Sequence, residues 1–214
     1  MIITNLYQIL SAAFCVIAVI SNIISAKMVP LPFTSDLYIP AGLFIYPLTF
    51  LLSNLVIEFY GAKQAKLMIY TAFAMNLMSL VLIEFALRLP SSEEEQYLFK
   101  AVLGLSGLRI LASLAAYLAG QLADIKMFTL IRDWTDARFL WLRNNGAYCI
   151  SQIVDTFLLD VIYLYIGLGI AWSQVWPIMC FSYLYKISFN IGLTPFLYFS
   201  VYIMKTKLNI RRTV

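Results

Sequence analysis

The feature that most constrains this chain is a series of six long apolar runs that charged residues hardly interrupt. A hydrocarbon core about 30 Å thick requires roughly twenty apolar residues of helix, and each run reaches that length. Hydrophobic residues make up 62% of the sequence and charged residues only 12%, whereas soluble domains are about a quarter charged. The sequence therefore predicts an all-α polytopic membrane bundle of six transmembrane helices, at about 4–26, 38–59, 65–87, 99–125, 147–170 and 174–204.

The segments between the runs are too short to build a second, water-soluble domain, so residues 1–214 are predicted to form one transmembrane domain. Histidine is absent, and Cys15, Cys149 and Cys180 have no close spacing. This pattern argues against a disulfide framework or a metal site, and we expect neither metal nor cofactor. Without histidine, any proton coupling would depend on a carboxylate.

Basic residues are distributed unequally between the two ends of the predicted helices. Positively charged loops mark the cytoplasmic face of membrane proteins, so the richer end is predicted to be cytoplasmic, together with both termini. The net charge of +4 is then an orientation signal next to the lipid bilayer and does not require a nucleic acid. The ten residues at this end are Lys63, Lys66, Lys126, Arg132, Arg138, Arg143, Lys205, Lys207, Arg211 and Arg212.

The fourth run contains the segment 108–124, LRILASLAAYLAGQLAD, in which small residues dominate and a charge lies near each end. Ala112, Ala116 and Gly120 recur every fourth residue, so other helices can approach this face of the backbone closely. Arg109 cannot be left facing lipid, because a central charge costs about 3 kcal/mol on insertion scales. This helix is therefore predicted to have partner helices.

Four charged residues, Arg109, Lys186, Asp155 and Asp160, are predicted to lie within the membrane. At a rise of about 1.5 Å per residue, the two cations lie roughly 15 Å below the outer surface and the two aspartates on either side of that level. Each charge would be destabilising without a partner. We therefore expect the two cations to pair with the two carboxylates at a junction of three helices.

Uncharged polar residues surround this predicted cluster. Such an arrangement is typical of a small-molecule pocket, although an ion-pair network that only fixes the register of the helices is the alternative. The candidate substrate-binding residues are Asn22, Arg109, Gln152, Asp155, Thr156, Lys186 and Asn190.

A second polar group lies near the cytoplasmic ends of the second and fourth predicted helices. It comprises Asn54, Glu58, Gln121 and Asp124. These residues are candidates for a cytoplasmic gate, and a plain anchor for the helix ends is an equal alternative.

The sequence contains no Gly-rich phosphate loop, nucleophile elbow or metal-ligand spacing, so we predict that the protein is not an enzyme. Any transport would then be secondary, facilitated or driven by another subunit.

Five blocks of sequence resemble, in order, the queuosine precursor transporter family, formerly called the putative vitamin uptake transporters. The second block has Ser53 and Asn54 where that family often has a Thr-Asp pair. The blocks are Ser21-Asn22, YPLTFLLSNLVIEFYG at 46–61, LRILASLAAYLAGQLADI at 108–125, QIVDT at 152–156 and SYLYKIS at 182–188.

The resemblance implies a six-helix fold similar to the substrate-binding subunits of energy-coupling-factor importers. It also implies uptake of a 7-deazaguanine base across the inner membrane for tRNA modification, such as 7-cyano-7-deazaguanine, 7-aminomethyl-7-deazaguanine or queuine. The positions that match recurring polar residues of the family are Asn22, Glu58, Arg109, Gln121, Asp124, Asp155 and Lys186.

Two other functions remain open. The first is the substrate-capture subunit of an ATP-driven vitamin-type importer for another small molecule. In that case the seam of Ala112, Ala116 and Gly120 would dock an energising subunit. Assembly as a homo-oligomer is a further possibility for its partners. A membrane enzyme or scaffold is the third hypothesis.

Overall fold

The structure, a computed structural model, describes residues 2–31, 34–103 and 107–206. Only the backbone is described for residues 2–5, 28, 31, 34–39 and 107–109. The described chain forms seven α-helices and one β-hairpin: α1 (Ile2–Ile24), β1 (Met28–Leu31), β2 (Thr34–Pro40), α2 (Pro47–Tyr60), α3 (Ala62–Leu87), α4 (Glu93–Leu103), α5 (Gly107–Trp134), α6 (Leu140–Asp160) and α7 (Trp172–Thr206).

Six helical segments of the described chain are long and apolar enough to cross a membrane, which confirms the predicted polytopic all-α bundle. α4 is a separate surface helix of 11 residues with three glutamates in its first turn. α6 continues into a π-helical segment, Val161–Gly167. The candidate spans are Leu6–Ile24, Ala41–Tyr60, Ala62–Leu87, Ile110–Trp134, Leu140–Gly167 and Trp172–Thr206.

The two ends of the bundle differ in their connections. The end that carries the α2–α3 turn at Gly61, the α5–α6 turn at 135–139 and the end of α7 is called the basic end here, because Lys63, Arg138 and Lys205 lie there. The opposite end carries the β-hairpin and is called the hairpin end.

The second span begins later than the predicted residue 38. Residues 38–40 belong to β2, which pairs antiparallel with β1 from Met28 opposite Pro40 onward. A short 3-10 helix, Ala41–Phe44, follows, and Pro47 then occupies the first turn of α2. Proline fits that position because the first amide groups of a helix have no intrahelical acceptor. Pro47 therefore marks a break between two helical segments.

The predicted bounds of the fourth helix, 99–125, are wrong at both ends. Residues 99–103 belong to α4, whose first turn is capped by Ser92 Oγ accepting the Glu95 N–H at 3.3 Å. α5 begins at Gly107 and continues to Trp134. The first error arises because hydropathy does not separate the end of α4 from the apolar helix that follows it. The second arises because α5 continues into more polar sequence, where the hydropathy signal ends.

This shift corrects the predicted depth of Arg109. The residue is the third of α5 and lies in its first turn, and so close to the hairpin end of the bundle. Its side chain lies outside the described part of the structure.

α2 occupies the centre of the bundle, where it packs against α1, α3, α5 and α7. Phe50 and Val56 of this helix are fully buried. α3 instead exposes large apolar side chains such as Val81 and Phe85. A helix of membrane length that exposes many large apolar side chains is suited to an apolar solvent, so α3 is a lipid-facing helix.

The seam of Ala112, Ala116 and Gly120 is buried inside this chain. A Cβ atom added at Gly120 would lie 3.0 Å from the Asp155 Cβ atom of α6. The predicted close packing is confirmed, and α5 and α6 form the most extensive helix pair. The seam is therefore occupied by neighbouring helices and does not offer a docking face for another protein.

A second close approach joins α1 to the 3-10 helix. Ser21 Oγ donates a hydrogen bond to the Gly42 carbonyl at 3.1 Å. A Cβ atom at Gly42 would overlap the Ser21 carbonyl oxygen and the Ser25 Oγ atom. The start of the second span is held against α1 at a distance that only glycine permits.

We expect Gly42→Ala to lower the free energy of unfolding by about 1–3 kcal/mol, because overpacking against backbone cannot be relieved by a side-chain rotation. The measurement is unfolding of the purified protein in detergent. Gly192→Ala is the matched control, since nothing lies within 4 Å of the added methyl group in α7. Equal stability of the two variants would contradict this packing.

Candidate functional site

A cavity of about 120 Å³ lies among α1, the 3-10 helix, α5, α6 and α7, in the half of the bundle nearer the hairpin end. On this measure a water molecule needs roughly 10–15 Å³, so the cavity has room for a small molecule. Its apolar walls include Leu80, Ile110, Leu114 and Leu159. Its polar lining comprises Ser21, Asn22, Ser25, Ser113, Asp155, Lys186 and the aromatic Tyr46.

The floor of the cavity is a buried ion pair. Lys186 Nζ of α7 donates to Asp155 Oδ2 of α6 at 2.6 Å, and the two side chains are 3% and 5% exposed. The same ammonium group donates to Thr156 Oγ1 at 3.2 Å. Asp155 Oδ1 accepts a hydrogen bond from the Tyr46 hydroxyl at 3.2 Å. Both charges are therefore neutralised and hydrogen-bonded, as burial requires.

Local sequence explains how these groups meet. Gly120 leaves room for the Asp155 side chain at the α5–α6 contact. Ile45 and Tyr46 have right-handed helical backbone angles, and Tyr46 lies directly before Pro47 at the start of α2. The Tyr46 hydroxyl reaches a carboxylate 109 residues away in sequence.

One wall of the cavity is an amide network around Asn22. Its Nδ2 atom donates to Asn76 Oδ1 of α3 at 2.6 Å, and its Oδ1 atom accepts from Ser113 Oγ of α5 at 3.3 Å. Asn76 in turn donates to the Ala72 carbonyl at 2.9 Å. The network joins three helices and holds the Asn22 amide at the cavity surface.

The structure brings three of the predicted binding residues, Asn22, Asp155 and Lys186, into the cavity lining. Thr156 lies behind them and supports the lysine. Gln152 is fully buried, and neither of its amide atoms has a hydrogen-bond partner among the described residues. Asn190 is placed elsewhere, in a group with Asn145 and Thr194 that links α6 to α7.

The predicted cluster of four charges is reduced to one ion pair within the described structure. Asp160 is 8% exposed and is not among the acceptors of Lys186, which bonds to Asp155 and Thr156. Arg109 lies in the first turn of α5. The depth estimate failed for Arg109 because it counted from residue 99, whereas α5 begins at Gly107.

The four candidate gate residues do not bond to one another. Each bonds to a residue on another helix, at the basic-end side of the cavity floor. Glu58 accepts two hydrogen bonds from Arg143 Nη2, at 2.7 and 2.6 Å. The other pairs are Asn54 Nδ2 to Asn144 Oδ1 (2.8 Å), Gln121 Nε2 to Thr49 Oγ1 (3.0 Å) and Ser151 Oγ to Asp124 Oδ1 (3.4 Å).

Arg143 was counted with the surface cations that orient the chain, and this assignment is wrong. Its side chain is fully buried, pairs with Glu58 and donates to the Ala137 carbonyl at 2.8 Å. The guanidinium also lies 5.4 Å from the centre of the Phe128 ring. Sequence places Arg143 next to a helix end, whereas its contacts with Glu58 and Phe128 show that the side chain points inward.

Sequence reasoning also missed several cavity residues. Tyr46, Gly42 and Ser113 line the cavity but were not candidates. For Tyr46 the available signal was the following proline, which places it at a helix start. Ser113 lies inside the small-residue segment, where a serine is indistinguishable from a packing residue.

A bundle of membrane-length helices around a polar, ion-paired cavity defines a multi-pass membrane protein with an internal polar cavity. Residues 40–200 match the family described as "Putative vitamin uptake transporter", and the chain belongs to this family. The resemblance to queuosine precursor transporters is thereby confirmed.

Two relatives are named "Probable queuosine precursor transporter". The one from Bacillus subtilis (strain 168) is 28% identical over 162 residues, which cover 73% of this chain and 69% of the relative. The one from Haemophilus influenzae (strain ATCC 51907 / DSM 11121 / KW20 / Rd) is 25% identical over 154 residues, which cover 70% of this chain and 63% of the relative. No solved structure matches the chain, so the likeness to energy-coupling-factor subunits stays a prediction.

We expect Asp155→Ala and Lys186→Ala each to lower the free energy of unfolding by about 3–5 kcal/mol, since each leaves a buried charge without its partner. The double variant should cost much less than the sum, because neither charge then remains. The measurement is a double-mutant cycle on the protein in detergent. The exposed pair of Glu84 and Arg88, 2.9 Å apart, is the control and should show coupling near zero. Additive costs at Asp155 and Lys186 would contradict the pair.

Proposed function

We propose that the chain imports a queuosine precursor, a 7-deazaguanine base, and binds it in the cavity above the Asp155–Lys186 pair. The observation that carries the proposal is this pair at the floor of a cavity lined by an amide and hydroxyls. The two relatives named "Probable queuosine precursor transporter" supply the substrate class. Which precursor is carried, among 7-cyano-7-deazaguanine, 7-aminomethyl-7-deazaguanine and queuine, is decided by the assay below.

The chemistry of the cavity matches a planar base with polar edges. A guanine-like edge presents N–H donors that suit a carboxylate and a carbonyl oxygen that suits an ammonium group. Asp155 and Lys186 offer these two partners side by side. A base bound there replaces the hydrogen bond from Tyr46 with its own N–H groups, so neither charge loses its partner.

The walls match the faces of such a base. Leu80, Leu114 and Leu159 are apolar surfaces against which a flat ring can pack. Asn22 is held in place by Asn76 and Ser113, so its amide needs little further ordering on binding.

We further propose that the basic end is cytoplasmic, in the inner membrane, with both termini on that side. Lys63, Arg138 and Lys205 lie at this end, as the positive-inside rule requires. The cavity then lies in the outer half of the bundle, where it would receive substrate from outside the cell.

Uptake of labelled precursor by cells that express the chain tests the function. We expect uptake well above vector cells, and loss of most uptake in both variants. Asp155→Asn removes the negative charge and replaces one acceptor oxygen with an NH2 donor, and Lys186→Ala removes the ammonium donor. Ile153→Ala is the matched control on α6, since Ile153 is 56% exposed on the lipid-facing side. Uptake equal to vector cells for all three precursors would refute the proposed function.

Reporter fusions at the end of the chain test the orientation. A fluorescent protein after Val214 should fluoresce, and alkaline phosphatase at the same place should be inactive, because only the latter requires export. The opposite pattern would place the cavity in the inner half of the membrane.

The alternative function is substrate capture for an ATP-driven importer. The seam cannot be the docking face for an energising subunit, because Ala112 and Ala116 are buried in this bundle. Uptake into liposomes that contain only the purified chain would exclude an obligatory energising subunit.

A further inference from the structure

Buried polar side chains continue from the cavity floor to the basic end, along the facing sides of α2, α5 and α6. All are at most 4% exposed, although their helices lie in candidate membrane spans. They are Thr49, Ser53, Asn54 and Glu58 on α2, Tyr117, Gln121 and Asp124 on α5, and Arg143, Asn144, Tyr148, Ser151 and Gln152 on α6. This set is called the polar core here.

Hydrogen bonds join all three helices across the polar core. Gln121 of α5 bonds to Thr49 of α2, and Asn54 of α2 bonds to Asn144 of α6. Ser151 of α6 donates to Asp124 of α5. Each pair among these three helices is therefore linked by a polar contact, so the polar core lies between α2, α5 and α6.

The polar core is not fully hydrogen-bonded. Ser53 Oγ, Asp124 Oδ2, the Tyr148 hydroxyl and both amide atoms of Gln152 are buried without a hydrogen-bond partner among the described residues. Each such group is destabilising in a closed core, because it has lost its hydrogen bonds to water without gaining others. Faces built only for packing are apolar or fully hydrogen-bonded, so these faces are suited to a conformation in which they contact water or a polar molecule.

The polar core is continuous with the cavity at one end. Asp155 follows Gln152 by three residues on α6, and Tyr46 precedes Thr49 by three residues. At the other end lies the pair of Glu58 and Arg143, whose side chains are 1% and 0% exposed. The guanidinium also bonds to the Ala137 carbonyl of the α5–α6 turn.

We propose that the polar core is the inner half of the translocation route, closed in this conformation, and that the Glu58–Arg143 pair is its closure at the basic end. This inference rests on the proposed function for the identity of the passenger. A base released from Asp155 and Lys186 passes between α2, α5 and α6, where amides, hydroxyls and Asp124 bond to it in turn. Separation of α2 from α6 opens the route and breaks both the Asn54–Asn144 and Glu58–Arg143 contacts.

Cysteine labelling tests the route without any substrate. Cys15, Cys149 and Cys180 are replaced by alanine, and Ser53→Cys or Ser151→Cys is introduced, since each exchange nearly preserves size. The probe is a charged, membrane-impermeant maleimide applied to inside-out vesicles and, separately, to intact cells. Ala72→Cys is the matched control, because Ala72 is fully buried in the apolar contact of α3 with the core.

We expect both introduced cysteines to react several-fold faster than the control, and faster from the basic end than from the hairpin end. Rates equal to that of Ala72→Cys from both sides would overturn the proposal. Because no substrate is used, failed labelling with intact uptake refutes the route, whereas labelling with absent uptake refutes the proposed substrate.

The closure is tested by adding Glu58→Gln to the Ser53→Cys chain. We expect several-fold faster labelling, because the carboxylate that holds Arg143 is gone. The exchanged pair, Glu58→Arg with Arg143→Glu, restores the ion pair and should return the slow labelling rate. If Glu58→Gln does not elute as a single species, the exchanged pair is used in its place. An unchanged rate in Glu58→Gln, or a fast rate in the exchanged pair, would overturn the role of this pair.

Discussion

The structure depends on one constraint: charges inside a lipid-embedded bundle must find partners within the protein. An isolated charge at the centre of a bilayer is costly, and neighbouring helices supply the means to neutralise it. Two buried ion pairs meet this requirement, Asp155–Lys186 between α6 and α7 and Glu58–Arg143 between α2 and α6. Because α6 contributes to both pairs, its position fixes the cavity floor and the contact at the basic end.

The helices are arranged around these pairs by the size of their side chains. Gly120 lets α5 approach Asp155, and Gly42 lets the 3-10 helix approach α1. Tyr46, directly before Pro47, donates a hydrogen bond from its hydroxyl to the Asp155 carboxylate. Substitutions that enlarge these small residues would displace the charged groups. The pairing of the charges therefore depends on the close packing of the helices.

Much of the site could be predicted from the types of residue involved. Asp155 and Lys186 stand in apolar sequence, where a charge requires a partner, so the sequence predicts that each is paired. Asn22 could be identified because it recurs with Ser11, Cys15 and Ser25 at spacings of three and four residues, on one polar stripe of an otherwise apolar helix. Asn190 satisfies the same criterion but bonds to Asn145, because periodicity gives the face of a helix and not the neighbour that the face meets.

What the sequence determined by itself is the class of structure: six apolar segments of membrane length, the family, and the presence of buried charges that must be paired. These follow from the cost of exposing polar groups to lipid, which depends on each residue's own chemistry. The tertiary structure decided which charges pair, that Arg143 points inward, and that Tyr46 lies on the cavity floor. Those outcomes depend on helix ends, on rotation about each helix axis and on contacts between residues up to 109 positions apart, none of which local sequence specifies.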